Sequence, residues 1–453
     1  MKTLLMACLI CSSALAADKE TPPPGGAAKP FRLPPTQDFA LPNGMKVTLV
    51  PYGEVPRVAM RAFVSAGAVH EPDGQVWISK LTGLLMKEGT TSRPAAAVAR
   101  EAADMGGELV VSSGGEATTV GGVVLSEFGP KYAALLADVL TNPLFPASEI
   151  PRLKADLARR LAVDTTRPQA QANERFLQTL LPDQPYSRLF PSAAALTGYT
   201  LEQARDFYKG NFGARRTHLY VAGKLDPGLR AAIESAFRDL PAGSEESVPQ
   251  AKPVTTRSLQ VVDRPGAAQS TVYLGLSVPD PAKADYIALT VLDSLLGGSF
   301  ASRITTNIRE QKGYTYSPAS QLLTRHRFAA WLEAADVTTA VTGASLKEIF
   351  FEIDRVRGAA PSAAELKGIQ SYLAGLFILR NTISPDAIIA QLRFVDSQEL
   401  PRTYLSDYVP KVMAVTPADI QRVAEQYLVP GKMTIVVVGD KAKIGEQVQP
   451  FEK

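Results

Sequence analysis

The sequence predicts an α+β protein made of two homologous halves. Two observations carry that prediction. A helix-then-strand unit runs from Thr200 to Gly223 and again from Thr416 to Gly439, a shift of 216 residues at both ends. Lys46-Val47, in an earlier strand-like segment, is matched by Gln260-Val261 at nearly the same shift, 214. Both threonines stand where a helix N-cap belongs, because a hydroxyl can accept a backbone N–H left free in the first turn.

Taken in order, the chain opens with Lys2, an apolar run and an Ala14-Leu15-Ala16 ending. These are the features of a secretory signal peptide over 1–16. The run is too short to span a bilayer, and too little apolar sequence precedes Cys8 for a lipoprotein site. The expected location is the periplasm. Both cysteines, Cys8 and Cys11, fall in this segment, so the mature chain has neither a disulfide nor a thiolate metal ligand. Residues 17–36, rich in proline, glycine and charge, read as a disordered leader.

Asn43-Gly44 marks a turn before a strand, and 58–65 is a second strand. Val76, Ile78, Leu81, Leu84 and Leu85 recur at helical spacing, predicting a helix over 73–87. A helix over 93–105 follows, then paired strands around Gly114-Gly115. That glycine pair lacks the lysine and following helix of a phosphate loop and reads as a hairpin. Helices are expected over 131–140, 148–163 and 170–181. The expected organisation is a first domain over 37–240, a linker of Pro, Gly, Ser and Glu over 241–256, and a second domain over 257–447.

The composition, 45% hydrophobic and 21% charged, is that of a globular protein. A net charge of +3 with no basic run argues against nucleic-acid binding. The three histidines, His70, His218 and His326, form no His-x-x-x-His pair and read as structural residues. Gly-x-Ser-x-Gly is absent, so no nucleophile elbow is visible.

One stretch, 296–317, is richer. Gly297-Gly298, Ser302-Arg303, Arg309-Glu310, Gly313 and Tyr316 follow one another through an expected helix, a turn and a strand-like segment with Tyr314 and Tyr316. This stretch closely resembles the second half of M16 (pitrilysin-like, inverzincin) peptidases. The resemblance extends over about 39–441. It implies two sheets covered by helices in a pseudo-twofold clam-shell, the LuxS/MPP-like metallohydrolase fold. It also implies that Arg309 and Tyr316 are catalytic in the sense of gripping the substrate backbone and stabilising an oxyanion.

Active members carry H-x-x-E-H on a first-half helix just before Gly-Thr. Two histidines four apart share a helix face and can hold one zinc ion. Here Gly89-Thr90 fixes the register, and Lys80, Gly83 and Leu84 stand at the histidine, glutamate and histidine positions. Arg160 falls at or near the later ligand glutamate. An ammonium or guanidinium offers no lone pair, so no metal and no cofactor are expected in this chain. On its own it is not expected to be a peptidase. In two-chain members one subunit bears the zinc motif and the other keeps the arginine and tyrosine. The expected partner is therefore an H-x-x-E-H-bearing M16 subunit that supplies the zinc, with unfolded peptides as substrates. The alternative is a non-catalytic structural core or peptide-binding protein of the same fold.

Overall fold

The structure is a computed structural model describing residues 31–453, so the expected signal peptide and most of the leader lie outside the described residues. The first half builds a six-stranded sheet from β1 (Gln37–Ala40), β2 (Lys46–Pro51), β3 (Arg57–Val64), β4 (Val110–Ser113), β5 (Thr118–Leu125) and β6 (Thr217–Gly223). The second half builds a five-stranded sheet from β7 (Ser258–Asp263), β8 (Gln269–Val278), β9 (Ala319–Arg325), β10 (Phe328–Thr338) and β11 (Thr434–Gly439).

The strand orders are β1-β2-β6-β3-β5-β4 and β7-β11-β8-β10-β9. Without β1 they are the same. In each sheet the first and last strands of the repeat pair in parallel: Lys46 lies opposite His218, and Gln260 opposite Val436. The other pairings are antiparallel.

The repeated caps form as their chemistry requires. Thr200 Oγ1 accepts the Gln203 N–H at 3.3 Å while Gln203 Oε1 accepts the Thr200 N–H at 2.9 Å. Thr416 and Asp419 make the same reciprocal pair at 3.2 and 3.0 Å. The Gly114-Gly115 hairpin joins β4 to β5.

Two elements differ from expectation. The helix expected over 73–87 starts only at Ile78 and ends at Met86. Trp77, at φ 75°, stops it from starting earlier, and buried Glu71 accepts the N–H groups of Trp77 (2.9 Å) and Ser79 (3.0 Å) in place of a helical turn. The strand-like segment around Tyr314 and Tyr316 is a loop that touches β10 through one bridge, Thr315 to Val337. Thr315 Oγ1 donates to the Asp336 carbonyl at 2.7 Å, and regular pairing begins only at Ala319. Within the expected leader, residues 31–36 have no regular structure, yet the Phe31 ring packs edge-on against Phe377.

Each sheet buries one face under helices of its own half, forming two large cores. The opposite faces are covered reciprocally. The Pro168–Leu180 helix of the first half sets Phe176, Leu177 and Leu180 against Phe328, Ala330, Leu332, Val436 and Val438 of the second sheet. The Pro385–Ser397 helix of the second half sets Ile388, Ile389, Leu392 and Val395 against Val50, Ala59, Tyr220 and Ala222 of the first. Among the described residues no single helix is long and apolar enough to cross a membrane.

Candidate functional site

The 296–317 stretch is held in shape by buried polar groups. The Tyr286–Asp293 helix runs into a widened turn, Ser294–Gly298, and a second widened helical segment spans Thr305–Gln311. In the latter the Lys312 N–H reaches back five residues to the Asn307 carbonyl at 3.1 Å. Arg303, with 9% of its side chain exposed, clamps Glu365 with two bonds of 2.7 and 2.9 Å. Buried Asn307 donates to Glu348 and Glu352. Gly313, at φ 65°, allows the turn that follows.

That frame presents Tyr316 at the surface and holds Arg309 partly buried beside it, with 21% of its side chain exposed. Tyr316 is 82% exposed, so it is not a core residue. The Arg309 guanidinium lies 5.2 Å from the Tyr316 ring centroid and 4.3 Å from that of Phe300, itself 70% exposed. Its one ion pair among the described residues is with neighbouring Glu310, at 3.2 Å. Several N–H donors of the guanidinium are left to an incoming acceptor. Phe300 had no signal in the sequence. It is a single aromatic beside the glycine pair, and only the fold brings it over Arg309.

The glycine pair has a structural reason that the sequence also hid. A Cβ on Gly297 would run into Glu333 Oε2 and come within 2.6 Å of Ser320 Oγ. On Gly298 it would come within 2.7 Å of Asp293 Oδ2. Glu333, on β10, is fully buried, and neither carboxylate oxygen has a hydrogen-bond partner among the described residues. Burial, then the charge of Asp293, holds its carboxyl well above the usual carboxylate range. Asp293 is itself pushed up to about 6 by burial, against the lowering effect of the Ser320 hydroxyl.

The first-half positions are arranged differently. Lys80, Gly83 and Leu84 all lie on the Ile78–Met86 helix, and Arg160 lies on the Ile150–Thr166 helix. Lys80 Nζ sits 3.7 Å from the Trp77 ring centroid. Its ammonium is pushed down to about 8, first by burial and next by the charge of Arg160. Two of the three residues at the positions that the resemblance assigns to zinc ligands, Lys80 and Arg160, are thus close enough to repel. A side chain at Gly83 would point at the edge strand β4, 3.4 Å from Val111. Two cations, a glycine and a leucine do not fit a zinc ion. No group of three or more histidine, cysteine, aspartate or glutamate residues suited to a metal occurs among the described residues.

His218 and His326 line one cleft between the halves, with Glu116 and Asp396. His218 stacks on Tyr220 at 4.0 Å, contacts Thr48 Oγ1 at 2.9 Å, and is pushed down to about 3, chiefly by burial. His326 Nδ1 lies 3.0 Å from the Ser397 carbonyl, and His70 Nε2 lies 2.8 Å from that of Ser247. Among the described residues no hydrogen bond, ion pair or ring contact joins the Lys80 cluster to the Arg309 cluster.

Comparison with known proteins bears on the family and the fold. The family model described as Insulinase (Peptidase family M16) matches residues 48–189, and the one described as Peptidase M16 inactive domain matches 198–373. An uncharacterized zinc protease of Rickettsia felis is 27% identical over 283 residues, covering 62% of this chain and 68% of the relative. One from Mycobacterium bovis is 26% identical over 348 residues, covering 74% and 76%. The crystal structure of a peptidase M16 inactive domain from Pseudomonas fluorescens superposes with a TM-score of 0.82 at 22% identity, covering 89% of this chain and 98% of that one. A protease from Helicobacter pylori gives 0.83 at 20% identity, covering 90% and 100%. With one family model matching each half and the fold shared throughout, this chain belongs to the M16 peptidase family.

Proposed function

We propose that this chain is the substrate-gripping, metal-free subunit of a secreted, periplasmic two-chain M16 peptidase acting on unfolded peptides. The observation that carries this reading is the contact between part-buried Arg309 and exposed Tyr316. The guanidinium lies between the exposed Phe300 and Tyr316 rings, while the positions that the resemblance assigns to the metal hold Lys80, Leu84 and, at or near the third, Arg160. A partner with an H-x-x-E-H motif would supply the zinc and the base. Arg309 N–H groups and the Tyr316 hydroxyl then meet the peptide carbonyl and stabilise the charge that develops on its oxygen. The edge strand β4, beside Gly83, has one unpaired side on which an extended peptide can add as a further strand.

Co-purification from the native source followed by metal analysis tests the assembly. The expected result is a complex holding zinc in the other subunit. Zinc and full peptidase activity in this chain alone would sink the proposal. In the complex, Arg309→Ala should lower kcat/KM by roughly a hundred-fold or more, the range for loss of one oxyanion donor. Tyr316→Phe should cost less, because it removes a single hydroxyl. Assembly should be unchanged in both.

A structural-subunit reading draws on Gly297 and Gly298, whose presence the Glu333 and Asp293 contacts already explain without substrate. It predicts that both substitutions leave turnover untouched.

A further inference from the structure

An open cleft of about 490 Å³ lies in the second half between the Ser294–Gly298 turn and the Ala363–Asn381 helix. Phe300 and Ala301 form one lip; Ala364, Gly368, Ile369 and Tyr372 form the helical wall. The charged group in this lining, Glu365, is already engaged by Arg303. The cleft is therefore an apolar surface with no charge to spare. Phe300 belongs to two places at once, because its ring is a lip of the cleft and also lies 4.3 Å from the Arg309 guanidinium.

Gly368 adds a second, independent observation. It sits inside a 19-residue helix, where glycine costs about 1 kcal/mol relative to alanine. Its φ is ordinary, and nothing lies within 4 Å of where its Cβ would be. Neither backbone strain nor close packing asks for a glycine there. Its effect is to keep the wall of the cleft open.

We propose that this cleft is a side-chain pocket for a large apolar residue, aromatic or long aliphatic, of the extended peptide whose backbone Arg309 and Tyr316 hold. The proposal rests on the reading of that pair as peptide contacts. Successive side chains of an extended peptide point to opposite sides. A residue whose carbonyl meets Arg309 can therefore send its side chain past Phe300 into the cleft. The substrates favoured are unfolded peptides with a bulky apolar residue beside the gripped carbonyl. Acidic residues at that position are disfavoured, because Glu365 lies in the lining and its cation is already taken.

The test uses the purified full-length chain and fluorescence anisotropy with three labelled, unstructured peptides. They are identical except for Phe, Gly or Asp at one position. The Phe peptide should bind about ten-fold or more tightly than the Gly peptide, as expected for burying an aromatic side chain. Gly368→Leu fills the pocket and should bring the Phe peptide down to the Gly level while leaving the Gly peptide unchanged. Ala364→Leu fills it from the preceding turn and gives the same result should Gly368→Leu fail to fold. Arg309→Ala should weaken all three peptides by a common factor. Equal binding of the Phe and Gly peptides, still weakened by Arg309→Ala, overturns the pocket and leaves the backbone grip standing. Tightest binding of the Asp peptide also overturns the pocket. No peptide binding, or binding indifferent to Arg309→Ala, overturns both.

Discussion

At the scale of single residues, Glu333 is a fully buried acid whose carboxylate oxygens have no hydrogen-bond partner among the described residues. It lies under the Gly297 turn, and among the described residues Asp293 is the charged group that acts on it. Both carboxyls titrate above their ordinary values of 4.5 and 3.8. A raised folded-state pKa contributes stability that is complete below the unfolded value and is lost as pH rises through the folded one. For Asp293 that loss runs from 3.8 to about 6, and for Glu333 it lies above 4.5. Glu333→Gln should match the wild type near about pH 4 and exceed it increasingly at higher pH, by up to roughly 1.4 kcal/mol per pH unit. Urea titrations of both proteins across that range check this; parallel curves would show that Glu333 carries no such penalty. None of this could be read from the sequence. Glu333 sits in an apolar strand pattern, where a lone acid reads as a residue facing solvent. The residue types at Lys80, Gly83 and Leu84, by contrast, stand in the sequence itself, whereas the burial that lowers the Lys80 ammonium to about 8 is set by the fold.

At the scale of elements, the loop that carries Arg309 depends on how closely its glycine turn meets β10. Gly297→Ala places a methyl group against the Glu333 carboxylate and should destabilise by about 1–3 kcal/mol, as overpacking does. Chemical denaturation measures the loss, and an unchanged midpoint would mean the turn relaxes freely. The helix caps at Thr200 and Thr416 could be predicted because capping is local chemistry between residues three apart. The late start of the Ile78–Met86 helix could not, since the groups that replace its first turn come from Glu71, which sequence spacing does not connect to it. The Tyr314–Tyr316 region carries aromatic residues typical of strands, yet its partner edge is available only at Thr315.

At the scale of the whole molecule, the internal repeat announced two halves but not how they join. An apolar helix stripe states that a face is buried; it does not state against which sheet. The reciprocal covering by Pro168–Leu180 and Pro385–Ser397 makes the two halves share their cores. Phe176→Ala should cost about 3–5 kcal/mol, the range for a buried aromatic, and should weaken both halves. Each half holds one buried tryptophan, Trp77 and Trp331. Trp77→Phe and Trp331→Phe proteins leave one reporter each, and their fluorescence transitions in urea should coincide. Two separate midpoints would show that the halves unfold independently.

The same exchange of helices has a consequence for a cut chain. The exposed run at 243–247 joins the halves in sequence, whereas the two exchanged helices join them through side chains. A single proteolytic nick in that run should leave two fragments that stay together through gel filtration and part only in denaturant. Either fragment made alone would bare a whole sheet face, and the two expressed side by side should find each other and reassemble.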